Sequence, residues 1–353
     1  FFQPEDGIRH FCLSRGLGDV YKRQIAEAGV NHNGDIDIAH KLIDEAKKAG
    51  ADCVKFQTFK AENLVTAGAP KAKYQLKVTD SDESQFDMLK SLELKYDDYV
   101  KLIEHCKRID IDFMSTPYSF EDVDFLMKLN VDSFKIASGQ LTELPFLEYV
   151  SKNKKPIYLS TGMSTMSEVH AAVEIISKNS NSELTVFQCT TNYPSDISEA
   201  NINVIESFKS IPNIKVGYSD HVVNNFACFA AVAKGVHSIE KHFTTDKSLP
   251  GPDHSCSLNP IEFKDLVYGI REIEKSLGTF IKAPTKMESE NIYGMKRSLV
   301  YSQSIKKGTK LSLEHFSFKR PMNGLVPNDL LNFVGKEINK DVSVDQLVNF
   351  NDI

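Results

Sequence analysis

The sequence predicts an α/β protein, a (β/α)8 TIM barrel followed by a small β-rich domain. Three observations carry this. From Ile25 onward, short β-rich runs alternate with amphipathic helical runs. Alternation of this kind makes successive strands parallel. Eight such units then fit within the ~250 residues over which a barrel closes. A doubly wound open sheet is the structural rival, but no GxGxxG follows the first strand to support it.

The strand candidates, in order, are IAEAGVN (25–31), CVKFQTF (53–59), DFMSTPY (112–118), SFKIAS (133–138), PIYLSTG (156–162), LTVFQCT (184–190), KVGYSDH (215–221) and SIEKHFT (238–244). Each is short and rich in β-branched or aromatic residues. Helical patterns lie between them, such as DIAHKLIDEAKKAGA and YDDYVKLIEHCKRI. The second puts Tyr99, Ile103 and Cys106 on one face. The one long interruption is residues 60–94, after the second strand. A connection of that length is usually functional or disordered, and on the active face of a barrel it reads as a lid.

After IEFKDLVYGIREIEKSLG the chain changes character. KMESENIYGMKRS leads into β-like pieces with turn signals at KKG and MNG. We assign 25–283 to the barrel and 284–353 to a linker and second domain, too short to bury much of a core alone. Residues 1–24 show no signal-peptide apolar region and no period. They read as a foreign segment, of the kind a translated sequencing adapter leaves, or as a disordered tail. On the first reading the true start of strand one is lost.

Composition narrows the function classes. The chain has 353 residues, 41% hydrophobic and 25% charged, with a formal charge of −6. This fits an ordinary globular protein and argues against a general nucleic-acid binder. No apolar run reaches the ~18 residues of a membrane span. Six cysteines are scattered without a CxxC pair, as expected of buried free thiols in a reducing cytoplasm.

The chemistry lies at the strand ends. Alternate residues point into a barrel, and active sites form at the C-terminal ends of the strands. Glu240 and His242 share a face of strand eight, and Gly217, Ser219 and His221 share one of strand seven. Two histidines at matching ends make half a metal site, whereas either alone reads as a hydrogen-bonded core residue. Lys55 and Gln57 share a face of strand two, and Lys135 lies on strand four. An unpaired buried ammonium is costly, so two such lysines imply either an anion between them or an internal pair, for instance with Glu27. Ser138, Ser160 and Ser219 add hydroxyls around the same point. Together these describe a phosphate or carboxylate cradle, and Glu27 is the carboxylate for base or orienting work.

These residues carry a resemblance. IAEAGVNHNGD, GADCVKFQTFKAENL, STPYS, KIASGQLTELP, LSTGMST, QCTTNYP, GYSDH, EKHFT and GPDHSCS, in this order, resemble the sialic acid synthase family. The C-terminal piece with KRPMNGLVP is similar to that family's small antifreeze-like (SAF) domain. The resemblance implies condensation of phosphoenolpyruvate with N-acetylmannosamine or a related 2-acetamido-hexose, releasing phosphate and giving a nonulosonic acid. N-acetylmannosamine is the first expectation, and a 2,4-diacetamido-trideoxyhexose, as in legionaminic or pseudaminic acid synthesis, is the alternative.

By the same resemblance Lys55, Lys135, Ser138, Ser160 and Ser219 match phosphoenolpyruvate-binding positions. His221 and His242 match ligands of a divalent metal, Mn2+ or Mg2+. Glu27, Gln57, Tyr193 and Asp253 match positions that meet the sugar or the attacking water. Arg320 matches an arginine that reaches the acetamido group from the partner subunit, which implies a domain-swapped homodimer. Gln140 and Thr191, expected in the substrate region, depart from the acidic residue and asparagine of some members. A Schiff-base aldolase using Lys135 or Lys55 and a non-enzymatic carbohydrate- or ice-binding protein are the rival readings. The paired histidines and second lysine oppose both.

Overall fold

The computed structural model describes residues 21–77, 79 and 82–353. Residues 1–20 of the N-terminal stretch read above as foreign lie outside the described residues. Eight parallel strands form a closed barrel in sequential order: β1 (Arg23–Gly29), β2 (Cys53–Thr58), β3 (Asp112–Pro117), β4 (Phe134–Ile136), β5 (Ile157–Ser160), β6 (Leu184–Cys189), β7 (Lys215–Asp220) and β8 (Ser238–His242). The helices are α1 (Ile36–Lys48), α2 (Ala61–Leu64), α3 (Gln85–Ser91), α4 (Tyr96–Ile109), α5 (Phe120–Lys128), α6 (Leu144–Ser151), α7 (Met166–Asn179), α8 (Val204–Lys209), α9 (Phe226–Ala233), α10 (Pro260–Leu277) and α11 (Lys286–Met295). Short α2 and α3 lie inside the 60–94 segment.

Strand β1 begins at Arg23, two residues before the start read from the sequence. Arg23 and Gln24 pair with Ser238 and Ile239 of β8, and the Arg23 guanidinium donates to Tyr158 Oη at 2.8 Å. The Gln24 amide donates to Asp52 Oδ2 at 2.7 Å. Ladder bonds come from the backbone, which accepts any non-proline residue. The polar side chains of these two rim residues hide the strand from a hydropathy pattern.

Local chemistry sets the element boundaries. Asp35 caps α1 by accepting from the Asp37 and Ile38 amides. Asn259 and Glu262 form a reciprocal capping box at the start of α10, with Pro260 in its first turn. The main core lies between strands and helices, with Leu42, Phe56, Leu102, Leu147 and Phe263 among its members. Tyr99, Ile103 and Cys106 are buried in it, as the helical period requires. Inside the barrel a separate apolar layer of Ile25, Cys53, Met114, Tyr158 and Phe187 closes the interior. Two residues further along each of these strands come Glu27, Lys55, Thr116, Ser160 and Cys189, so the polar layer rests on this apolar plug.

The chain divides into two compact units between Gly278 and Thr279. The second has an antiparallel pair, β9 (Ser298–Tyr301) with β10 (Phe316–Lys319). It also has its own core of nine buried residues, including Leu299, Tyr301, Phe316 and Phe333. That is more than its length led us to expect. Among the described residues no helix is long and apolar enough to cross a membrane.

Candidate active site

Strand register assembles the site. Glu27 of β1 sits opposite Lys55 on one side and His242 on the other, and Ser219 sits opposite Glu240. Beyond Glu27 the β1–β2 register shifts, and Gly29 takes φ +53°. A Cβ at Gly29 would lie 3.3 Å from Glu27 Oε1, so the glycine leaves room for that carboxylate.

The lysines and carboxylates form one buried cluster. Lys55 Nζ is 2.9 Å from Glu27 Oε2 and 3.5 Å from Glu240 Oε1. Lys135 Nζ is 3.6 Å from the same Glu240 oxygen and donates to Ser160 Oγ at 2.6 Å and to the Ile136 carbonyl at 3.2 Å. Ser219 Oγ donates to Glu240 Oε1 at 3.0 Å, while Glu240 Oε2 has no hydrogen-bond partner. Gln57 Nε2 donates to Glu27 Oε1 at 3.3 Å. Of the two sequence alternatives for the lysines, the internal pair with Glu27 is therefore present, yet it leaves a buried carboxylate oxygen bare.

The electrostatics follow from burial. Desolvation pushes the Glu27 carboxyl up to about 7, with Lys55 pulling down and Glu240 pushing up. Burial lowers Lys135 more than Glu240 restores it. Burial works against the Lys55 charge as well, but Glu240 and Glu27 together outweigh it and raise its pKa. Burial also pushes Asp253 up to about 6.

The histidines stand at the mouth. His221 directly follows β7, and its ring is 5.3 Å from that of His242, centroid to centroid. Tyr193 packs against both, at 4.1 Å and 5.5 Å. His221 Nδ1 lies 2.6 Å from the Thr190 carbonyl. A carbonyl only accepts, so Nδ1 carries the proton. Burial works against a charge on this ring, but Cys189, hydrogen-bonded to it, outweighs burial and raises its pKa. His242 Nδ1 is buried without a hydrogen-bond partner, 3.8 Å from Asp253 Oδ2. This pair fits half of a divalent-metal site, with the other positions left to substrate and water. No group of three or more His, Cys, Asp or Glu side chains arranged for a metal occurs among the described residues.

One cavity of about 260 Å³ joins these groups. Glu27, Lys55, Gln57, Lys135, Ser138, Ser160, Tyr193, Ser219, His221, His242 and Asp253 all line it. Gln140 and Thr191 do not. Gln140 is buried with Oε1 3.4 Å from the Ala137 amide. Thr191 Oγ1 is buried beside Gly162, where a Cβ would come within 2.0 Å of it. Arg320 belongs to the second unit, and its Nε donates to the Met295 carbonyl at 3.0 Å.

Sequence reasoning missed Glu240, Thr116, Tyr118 and Cys189, and from the 60–94 segment Leu64, Val65, Tyr74, Gln75, Gln85, Met88, Leu89 and Leu92, all of which line the cavity. Parity along DFMSTPY and LTVFQCT could have found Thr116, Tyr118 and Cys189. Glu240 was already on the inward face. The 60–94 segment offers no period from which its inward residues could be read.

The chain matches the NeuB family over residues 42–282 and the SAF domain over residues 296–353. It is 45% identical to the N,N'-diacetyllegionaminic acid synthase of Campylobacter jejuni, over 92% of this chain and 98% of that protein. It is 34% identical to the N-acetylneuraminate-9-phosphate synthase of Mus musculus, over 96% and 94%. Among solved structures, the N-acetylneuraminic acid synthetase of Leptospira borgpetersenii in complex with citrate is 31% identical. That match covers 77% of this chain and 91% of that one, with a TM-score of 0.69.

Proposed function

The chain belongs to the NeuB family, and from that premise we propose that it condenses phosphoenolpyruvate with a 2,4-diacetamido-trideoxyhexose and water, giving a legionaminic-type nonulosonic acid and phosphate. It is a phosphoenolpyruvate-dependent nonulosonic acid synthase, a transferase. The observation that carries the chemistry is the single cavity holding two buried lysines, strand-end serines and two neighbouring imidazoles, with Nδ1 of His242 buried without a hydrogen-bond partner. Choice of sugar rests on identity, 45% to a legionaminic acid synthase against 34% to a neuraminate-phosphate synthase. N-acetylmannosamine, the first expectation from sequence, thereby becomes the second reading.

In this mechanism Lys55 and Lys135, with Ser138, Ser160 and Ser219, hold the phosphate and carboxylate of phosphoenolpyruvate and steady its charge as it shifts. A divalent metal, Mn2+ or Mg2+, held by His221 and His242 would supply Lewis-acid polarisation of the open-chain sugar's aldehyde. The enol carbon bonds to the aldehyde carbon, the aldehyde oxygen takes the proton of the Glu27 carboxyl to become a hydroxyl, and water captures the cation left at the phosphate-bearing carbon. Glu27, with a carboxyl near neutrality, takes the proton of that water. The C–O bond to phosphate then breaks and phosphate leaves. Gln57, Tyr193 and Asp253 orient the sugar. Arg320, from the partner subunit of a domain-swapped homodimer, binds an acetamido group. The five cysteines among the described residues are free and buried, which suits a reducing cytoplasm.

The test is phosphate release from phosphoenolpyruvate with each sugar, with and without Mn2+ and EDTA. The expected result is sugar-dependent release, faster with the diacetamido sugar and abolished by EDTA. Faster release with N-acetylmannosamine would return the reading to sialic acid, and borohydride trapping of pyruvate would favour the aldolase. His242→Ala should lose Mn2+ binding by calorimetry, and activity, with the fold retained. Unchanged activity would sink the metal assignment.

A further inference from the structure

The cavity has two walls of opposite chemistry. One is the ring of lysines, carboxylates and histidines described above. The other is apolar, formed by Val30, Leu64, Val65, Met88, Leu89 and Leu92. Val30, Met88 and Leu92, with Phe59, form a hydrophobic cluster separate from the main barrel core, and Leu64 and Leu89 pack against it. All but Val30 and Phe59 come from the 60–94 segment. Gln75 and Gln85 also line the cavity. Gln85 Nε2 donates to Gln75 Oε1 at 3.2 Å, and the Ala72 amide donates to the same oxygen at 2.9 Å. Tyr74 packs against Tyr193 with ring centroids 4.9 Å apart and planes tilted by 37°, so the segment is tied to the residue that packs on both histidines.

The reaction orients the substrate between these walls. The sugar's aldehyde carbon must meet the enol carbon beside Lys55 and Lys135. Its distal carbons then extend away from the charged wall, toward the apolar one. We propose that this apolar wall, with the Gln75–Gln85 amide pair at its side, is the specificity determinant. It selects a sugar whose distal end is 6-deoxy and N-acylated over a fully hydroxylated one. The proposal rests on the diacetamido reading above and names the residues that would enforce it.

The physical reason is desolvation. A C6 methyl and an acetyl methyl bury apolar surface against Leu64, Val65 and Leu89. A hydroxyl in the same place loses water and finds no partner. A second acetamido group also brings one donor and one acceptor, which primary amides such as Gln75 and Gln85 match. Apolar pockets reject an added hydroxyl by only about 100-fold, so the preference expected from this wall is on the order of 100-fold.

The test compares kcat/KM for a 2,4-diacetamido-2,4,6-trideoxyhexose and for N-acetylmannosamine in the full chain and in Val65→Ser and Leu89→Ser. Both side chains are partly exposed, so serine is tolerated at either position if the other fails to fold. The KM for phosphoenolpyruvate reports on the charged wall. The expected result is a diacetamido-to-N-acetylmannosamine ratio reduced about 10-fold, with the phosphoenolpyruvate KM steady. An unchanged ratio, or parallel loss with both sugars, overturns the proposal while the diacetamido reading stands. A full chain that itself prefers N-acetylmannosamine overturns that reading, and this proposal with it.

Discussion

Lys241 and Lys135 are both almost fully buried on strands of the same barrel, and their surroundings differ. Lys241 lies on the face of β8 opposite to Glu240 and His242. Its ammonium donates to Asp220 Oδ2 at 2.5 Å, to the Asn224 carbonyl at 2.9 Å and to the Val222 carbonyl. Three donors meet three acceptors. Asp220 is equally engaged, accepting from Tyr218 Oη at 2.8 Å, the Val222 amide at 3.0 Å and Cys228 Sγ at 3.1 Å. Lys135 has a serine, one carbonyl and a carboxylate 3.6 Å away. A buried charge with every partner in place braces structure, here the turn that carries His221. A buried charge left short of partners awaits a ligand. SIEKHFT, three ionisable residues on one buried strand, holds part of both arrangements.

The sharpest test of this contrast is Lys135→Met. Turnover should fall by about 1,000-fold, as when a preorganised electrostatic donor is removed. Thermal stability should change little, because Lys55 still stands 3.5 Å from Glu240 when Lys135 is gone. Phosphate-release kinetics and a melting curve read both. Retained turnover, or a large drop in melting temperature, would break the contrast at its catalytic end.

Lys241→Met should do the reverse. It strands the Asp220 carboxylate without a cation, and breaking such a pair costs about 3–5 kcal/mol. Urea denaturation measures this, and Asp220→Asn in the Lys241→Met background should recover part of the loss. A cost below about 1 kcal/mol, the value of an exposed pair, would mean that Lys241 does not brace the turn.

The same contrast explains what the sequence made legible. Period-two parity along eight short strands is a local signal, and it placed Glu27, Lys55, Lys135, His221 and His242 at one cavity. The Asp220–Lys241 pair was not legible, because it depends on the β7–β8 register that sets Asp220 opposite Lys241. Nor was the apolar wall, since α2 and α3 have four and seven residues, too few to show a period. Gln140 and Thr191 follow strands β4 and β6, where the turn and not the strand aims the side chain, so parity gives no guide. The start of β1 was hidden by polar rim residues whose ladder bonds carry no side-chain signature.

His32 takes a third course: it is buried and gives up its charge. It is 1% exposed, and its Nδ1 accepts from the Gly34 amide at 3.0 Å, which requires the neutral ring. Burial, with His254 adding repulsion, pushes its pKa from 6.5 down to about 4. Above pH 6.5 neither folded nor unfolded chain protonates this ring, and its contribution to stability is complete. As the pH falls below 6.5 the unfolded chain binds a proton that the folded chain refuses until about pH 4, so stability is lost through that window. The full loss from this group is about 3 kcal/mol, at 1.36 kcal/mol per pKa unit. His32→Asn keeps an acceptor for the Gly34 amide and removes the titration. The variant's overall stability changes with packing, so the quantity to compare is the slope of unfolding free energy against pH. Denaturation at pH 7, 6, 5 and 4 should show the wild-type curve falling more steeply by up to one proton's worth. Parallel curves would mean that His32 keeps its charge when buried, and that burial without a counter-charge is not what separates it from Lys241.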